Sequence, residues 1–360
     1  MHSAIGFPLT MTPGSAQQSY QKRLGEVLRA DTVIWRALCE ARSFDLPDWW
    51  IVSGAIYNTV WNHLSDLPPG TGIRDVDLFY FDPDTRWEAE DRFIQKGKSH
   101  FSDQPPVEIR NQARVHLWYK DHFGHPMPPF SDCRDGVRNF ASQTHAVGVT
   151  LGEDDQIEVY APYGLDAMFQ MRMVPNRLHL NRDTHESKFA RAKTIWRNLT
   201  IEPWPETSVV RAHAWQDWDD LRAMIQRAFA YMEGRIDPPS SLHRLDADAL
   251  AQKAQEETCF LAHDGRQITG CVFCKREGDQ FYVGKLAVDP VHQGKGIGKA
   301  LMARIETEAS RLGCSALSLD TRIELTENHE AFAKLGFTKT GQSSHPGFDR
   351  PTSIRMQRLL

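Results

Sequence analysis

An apolar run of strand length, Phe281 to Val288, is followed by Asp289-Pro290-Val291-His292-Gln293-Gly294-Lys295-Gly296-Ile297-Gly298-Lys299, and then by an amphipathic run, Ala300 to Leu312, with helical spacing. A Gln-x-x-Gly-x-Gly loop therefore sits where a strand hands over to a helix N-terminus. Such a turn aims several backbone N–H groups at one spot, and the helix dipole adds positive potential there. Glycine leaves no Cβ in the way of a phosphate. An α/β arrangement with strand and helix packed together follows. Two other readings compete: an ordinary strand–turn–helix corner, and a dinucleotide-binding βαβ unit.

The neighbouring residues choose among these. The strand ends Leu286-Ala287-Val288-Asp289-Pro290, and a second strand candidate follows at Ala316-Leu317-Ser318-Leu319-Asp320. A short helix, Asn328 to Leu335, closes on Gly336-Phe337. No dinucleotide-type first strand precedes the loop, and no acidic residue stands at the ribose-binding distance. From about Ser208 to Leu360 the chain resembles the GNAT acetyltransferases. The resemblance implies acetyl-CoA as cofactor. It implies that Leu286, Ala287 and Val288 pair with the pantetheine and supply an oxyanion donor. Gln293, Gly294, Lys295, Gly296, Ile297, Gly298 and Lys299 would hold the pyrophosphate, and Asn328 would contact the coenzyme. Phe332 falls where many members carry a tyrosine that protonates the leaving thiolate, and phenylalanine has no proton to give. Tyr282, Lys285, Asp320 and His292 remain open as acid or base, and His329 as a donor.

Charge gives no strong signal for nucleic acid and leaves only a local patch open. The 42 Lys+Arg and 47 Asp+Glu give −5, with 20 basic and 20 acidic residues from Thr207 onward and 22 against 27 before it. Neither part carries the basic excess of a protein that grips nucleic acid through phosphates. No apolar stretch reaches membrane-spanning length. Six scattered cysteines without a signal peptide point to the cytoplasm, with reduced thiols. Cys271-Val-Phe-Cys274 lies in a strand candidate, where a spacing of three puts the thiols on opposite faces, so it reads as two core cysteines.

Two prolines in Ile201-Glu202-Pro203-Trp204-Pro205 make the best domain boundary. We expect a flexible N-terminus at 1–23, one domain at 24–205 and a second at 206–360. Before the boundary, Thr184 to Leu199 reads as a helix with a basic stripe, Lys188, Arg191, Lys193 and Arg197, read first as a solvated face and second as a clamp for an anionic substrate. Beyond it, the segment Glu233 to Leu245 is expected to cover an acceptor groove.

In the first domain, Trp50-Ile51-Val52-Ser53-Gly54-Ala55-Ile56 precedes Ile73-Arg74-Asp75-Val76-Asp77-Leu78-Phe79, and Val107-Glu108-Ile109-Arg110 is a further strand candidate. Asp75 and Asp77, two apart, point to one face. Two carboxylates held together call for a cation, and a hard divalent ion suits them. This resembles the polymerase-β-like nucleotidyltransferase superfamily, and more closely nucleotidyltransferase family 39, through Arg74–Asp77, Arg110–His116 and Val159–Gly164 over about Leu24 to Pro205. The resemblance implies that Asp75, Asp77 and Glu108 are catalytic and hold Mg²⁺ with a nucleoside triphosphate, and that Ser53 and Gly54 meet the nucleotide phosphates. Arg110, Asn111, Arg114 and His116 are candidate contacts to the triphosphate or acceptor.

The expected protein is thus α/β (α+β) and bifunctional. An N-acetyltransferase acting on a small-molecule or macromolecular amine is joined to a Mg²⁺-dependent nucleotidyltransferase-like domain, with a homodimer as a candidate assembly. The alternative is an acetyltransferase whose first domain only recognises a nucleotide or acceptor. A non-enzymatic coenzyme A sensor ranks third.

Overall fold

Pro13 pre-sets the backbone angle of a first helical position and opens the first described helix, α1 (Pro13–Ala30). The computed structural model describes residues 13–102, 104–212, 215–240 and 245–360. Of the expected flexible stretch 1–23, residues 1–12 lie outside the described residues, and the rest is helical. The reason is burial: Leu24, Val27 and Leu28 are core residues, and the Tyr20 ring stacks on Phe169 at 5.0 Å.

The chain divides into two compact units, one of Met1–His122 with Pro129–Pro203, the other of Phe123–Pro128 with Trp204–Leu360. In the first unit α1 is followed by α2 (Thr32–Phe44), β1 (Trp50–Val52), α3 (Gly54–Leu64), β2 (Val76–Tyr80), α4 (Trp87–His100), β3 (Val107–Asn111), α5 (Val115–Phe123) and α6 (Cys133–Arg138). Then come β4 (Gly148–Leu151), β5 (Ile157–Tyr160), α7 (Asp166–Phe169), β6 (Arg172–Met173), α8 (Arg182–Lys193) and β7 (Thr200–Ile201). Five strands form a mixed sheet in the order β3-β2-β1-β4-β5. Alternation on β2 buries Val76, Leu78 and Tyr80 in the core with α1 to α3, and leaves Asp77 and Phe79 on the other face.

Helix α8 runs Arg182–Lys193, not the expected Thr184 to Leu199. Beyond its end the Lys193 ammonium reaches forward and donates to the carbonyls of Arg197 and Leu199, both at 2.6 Å. Trp196 leaves the helix line to pack edge-on to Trp61 at 5.3 Å and to donate to Asn62 Oδ1 at 3.1 Å. That contact ties the α8 segment to α3.

The second unit contains β8 (Ser208–Arg211), α9 (Trp218–Phe229), α10 (Ala247–Glu256), β9 (Thr258–His263), β10 (Ile268–Glu277), β11 (Gln280–Val288) and α11 (Ile297–Arg311). It ends in β12 (Ala316–Arg322), α12 (Thr326–Lys334), β13 (Thr338–Ser343) and β14 (Ser353–Leu359). Seven strands lie in the order β13-β14-β12-β11-β10-β9-β8, with only β11 and β12 parallel. The expected mixed, mostly antiparallel sheet is what forms. Cys271 packs in the cluster with Leu221 and Leu250, Cys274 in the opposite one with Leu301 and Ile305. The two thiols therefore occupy opposite faces, as the spacing predicts. No described helix is long and apolar enough to cross a membrane.

Candidate functional site

In the second unit, β11 and β12 pair only from Gln280–Ala316 to Tyr282–Ser318. Beyond that point the strands part. A bulge on the other side of β11, where pairing with β10 jumps from Gly284 to Ala287, holds Lys285 at φ 45°. The edge of Leu286, Ala287 and Val288 that faces β12 is therefore unpaired with it. Backbone groups with no ladder partner are what an extended ligand can bond.

The loop after β11 is shaped by its glycines. Gly294 and Gly296 sit at φ 76° and 81°, with no heavy atom within 4 Å of a Cβ built on either. Gly296 ends the loop in a left-handed conformation, and α11 starts at Ile297 with no side-chain cap, so its first N–H groups face outward. Gln293 turns inward and donates to the Val288 carbonyl at 3.2 Å. Asp289 fixes the base of the loop. It is buried, caps Val291, and takes two hydrogen bonds from Arg227 of α9 at 3.0 and 2.8 Å. Asp289 and Arg227 were not among the expected site residues.

A cavity of about 680 Å³ opens at the parting of the strands. Leu286, Asn328 and Phe332 line it, and so do the aromatic side chains of Phe229, Tyr231 and Phe348. Ile236, Pro238 and Pro239 of the expected covering segment also line it. Residues 241–244 of that segment lie outside the described residues. Asn328 Nδ2 donates to the Tyr231 hydroxyl at 2.9 Å. Of the four open acid–base candidates, Tyr282, Lys285 and Asp320 line the cavity and His292 does not. Burial and the Asp320 charge push the Tyr282 phenol up to about 12, so it keeps its proton. Asp320 is committed to Arg355 through bonds of 3.0 and 2.8 Å. Burial, with Lys253 nearby, pulls the Lys285 ammonium below its ordinary range. His329 turns to the Arg322 carbonyl at 2.8 Å.

In the first unit, sheet register builds the second site. Val52 pairs with Asp77, and Asp77 with Glu108, so one row crosses β1, β2 and β3. Immediately after Val52 the chain turns at Ser53, which is buried and held at φ 53°, ψ −110°, a region that L residues rarely occupy. Helix α3 then begins at Gly54, where the nearest atom to a built Cβ is the Tyr57 hydroxyl at 4.0 Å. Asp75 lies one residue before β2. The Asp77 carboxyl is pushed up to about 6, first by burial, then by the charges of Asp75 and Glu108, against the opposing pull of Lys188 and Arg110. Glu108 is exposed and pairs with Arg110 at 3.0 Å. Among the described residues, no three His, Cys, Asp or Glu side chains cluster tightly enough to form a metal cage.

Two expected contacts have a structural role instead. Asn111 is buried and accepts from Ala113 and Asp82, while Arg114 forms a buried ion pair with Glu90, which also accepts from the Asn111 N–H. Their side chains are committed within the protein because α4 packs onto β3. Arg110 is taken by Glu108, and His116 lies in the first turn of α5. The basic stripe of α8 is not simply solvated. Lys188 is half-buried, its ammonium lies 5.9 Å from the centre of the Phe140 ring, and its charge opposes the rise of the Asp77 carboxyl. The Tyr57 ring stacks on His145 at 4.2 Å, and burial with the Lys188 charge pushes the His145 imidazole well below its usual range, so it is neutral. The bare spacing of α8 gave no signal for these contacts. The tertiary path of the helix creates them.

A family model described as Nucleotidyltransferase matches residues 39–201, and one described as Acetyltransferase (GNAT) family matches residues 196–337. Over 158 residues the chain is 30% identical to an IAA acetyltransferase of Azospirillum brasilense, covering 43% of this chain and 99% of that one. It is 38% identical over 53 residues to an aminoglycoside N(6')-acetyltransferase type 1 of Stenotrophomonas maltophilia, 15% of this chain and 35% of that one. A solved structure described as revealing a CCA-adding enzyme head domain is 26% identical, with a TM-score of 0.43, over 51% of this chain and 95% of that one.

Proposed function

We propose that this chain, which belongs to the acetyltransferase (GNAT) family and also carries a nucleotidyltransferase-family domain, transfers acetyl groups from acetyl-CoA to a small amine and binds nucleoside triphosphate with Mg²⁺ at a second site. The observation that carries the first part is the parting of β11 and β12 beside a loop of outward N–H groups. Pantetheine would extend along Leu286 to Val288, and the pyrophosphate would rest on Gln293 to Lys299. Attack of a neutral amine on the thioester carbonyl would give a tetrahedral oxyanion, which a backbone N–H of the open edge would hold; loss of the amine proton to a base and breaking of the C–S bond would then release coenzyme A as its thiolate. Of the four candidate groups, Lys285 best fits the proton acceptor, because its ammonium is the one shifted toward the neutral base.

The cavity argues for the class of acceptor. Asp320 is the only carboxylate among its described lining residues, and it is held by Arg355. A polycation would find no free counter-charge there, whereas the aromatic wall suits an amine on a small apolar or aromatic body. A panel of primary amines tests this by thiol release. Aromatic and short aliphatic monoamines should show kcat/KM at least about tenfold above polyamines and aminoglycosides. The reverse order would refute the assignment.

For the first unit, the donor set fits a hard divalent ion. Its groups are carboxylates, with Asp77 raised first by burial and then by the Asp75 charge, and Mg²⁺ is commonly held by one or two carboxylates completed by substrate phosphates. Asp75 and Asp77 would hold the ion, Glu108 would support it from the next strand, and the Ser53–Gly54 turn would approach the phosphates. The bound ion would neutralise phosphate charge and polarise the transferring group. A recognition role without catalysis is the second reading, favoured by the pairing of Glu108 with Arg110. We take 24–205 and 206–360 as the working domain limits, and the expected homodimer remains a proposal.

A further inference from the structure

Arg322, the last residue of β12, stands between two walls of the cavity in the second unit. One wall is the covering segment with Ile236, Pro238 and Pro239, the other the loop between β13 and β14 with His345, Pro346 and Phe348. The guanidinium bonds to both. Its Nη2 donates to the Pro238 carbonyl, and its Nη1 donates to Nε2 of His345 at 2.9 Å. His345 is fixed in turn by Thr352, whose hydroxyl oxygen lies 2.9 Å from the His345 N–H and 2.6 Å from Nδ1. A ring that accepts at Nε2 is a neutral imidazole with its proton on Nδ1. Burial and the Arg322 charge, which lower the pKa of that ring, keep it neutral. Glu324 adds a further tie, accepting from the Asp237 N–H at 3.1 Å and facing the Arg322 Nε at 3.9 Å.

The other tethers of the cover are weaker. The pairs Arg235–Glu327 and Arg350–Asp237 have both partners about half exposed, where an ion pair adds little. The Arg322 side chain is 13% exposed, so its bonds form away from water and are costly to leave unmade. We propose that Arg322 is the specificity-determining residue of the acceptor cavity: its planar fork sets the spacing between the cover and the loop between β13 and β14, and that spacing limits the size of the amine admitted. This rests on the reading of the cavity as the acceptor site. Arg322 acts through Pro238 and His345, so it is a positioning residue. Two partners bonded to the two Nη atoms of a rigid guanidinium are fixed relative to one another, which an ammonium on a flexible stem does not achieve. A cover held at a set distance rejects a longer acceptor by overlap, and a released cover moves aside.

The test uses the full chain and two readouts. Thiol release is followed with primary amines from propylamine to dodecylamine, and wild type should show kcat/KM at least about tenfold higher for amines that fit than for those that overrun the cavity. R322A should lose most of that preference, through KM for the amine more than through kcat, with the Kd for acetyl-CoA unchanged. R322K keeps the charge without the fork and should resemble R322A; it also serves if R322A does not fold. Hydrogen exchange is the second readout and does not depend on turnover. The Asp237 and His345 amides should lose protection in both variants, while those of α11 keep theirs. Unchanged protection at both amides overturns the clasp. Lost protection with the wild-type amine preference intact, or wild-type preference in R322K, overturns the specificity role. Thiol release by wild type with none of the amines is a different result, which overturns the acceptor reading itself.

Discussion

Asp77 sits between Val52 and Glu108 in one row of the sheet, and its burial has a consequence for stability. The folded protein holds the Asp77 proton up to about pH 6, whereas the unfolded chain releases it near the ordinary 3.8. Between those values the native state binds more protons, so stability falls as pH rises through that window and is level above it. Asp77→Asn should therefore stabilise metal-free protein at pH 7 by about 1–2 kcal/mol and have no such effect below pH 4, as read by urea unfolding. A destabilised variant at pH 7 would show that the carboxylate is compensated. The pattern Asp-Val-Asp was legible because side chains two apart on a strand share a face. The strained Ser53 and the neutral His145 were not, because each depends on residues distant in the sequence: the Ser53 N–H bonds to the Val147 carbonyl, and His145 stacks on Tyr57.

At the scale of elements, hydrophobic period and glycine placement located β11, the loop and α11, since strand, turn and helix are written in consecutive residues. Edges depended on side chains that act at a distance. Trp196 leaves the line of α8 to reach Asn62, 134 positions away, and Arg227 anchors Asp289 from 62 positions away, which no local pattern announces. Arg110 to His116 resembled a ligand-contacting run, yet Asn111 and Arg114 serve to lock α4 to β3. Glu90 carries that lock, with Arg114 and the Asn111 N–H both bonded to its carboxylate. Glu90→Ala would leave the Arg114 charge buried and unpaired, and should remove about 3 kcal/mol from the first unit in urea unfolding. A loss below about 1 kcal/mol would mean that water replaces the carboxylate.

For the whole molecule, two nucleotide-like ligands are assigned to two units by different physics. One site is a loop of backbone N–H groups on an open strand edge, the other a row of the sheet that carries carboxylates on neighbouring strands. Each should fail independently of the other. The central claim is that both sites are real and separable, and titration calorimetry of the full chain with acetyl-CoA, then with ATP and Mg²⁺, tests it most directly. Wild type should bind both. Gly296→Ala strains a left-handed position at φ 81° and should weaken acetyl-CoA about tenfold while leaving ATP–Mg²⁺ unchanged. Asp75→Ala should abolish ATP–Mg²⁺ binding while leaving acetyl-CoA unchanged. Failure of wild type to bind acetyl-CoA, or loss of both ligands in either variant, would contradict the account.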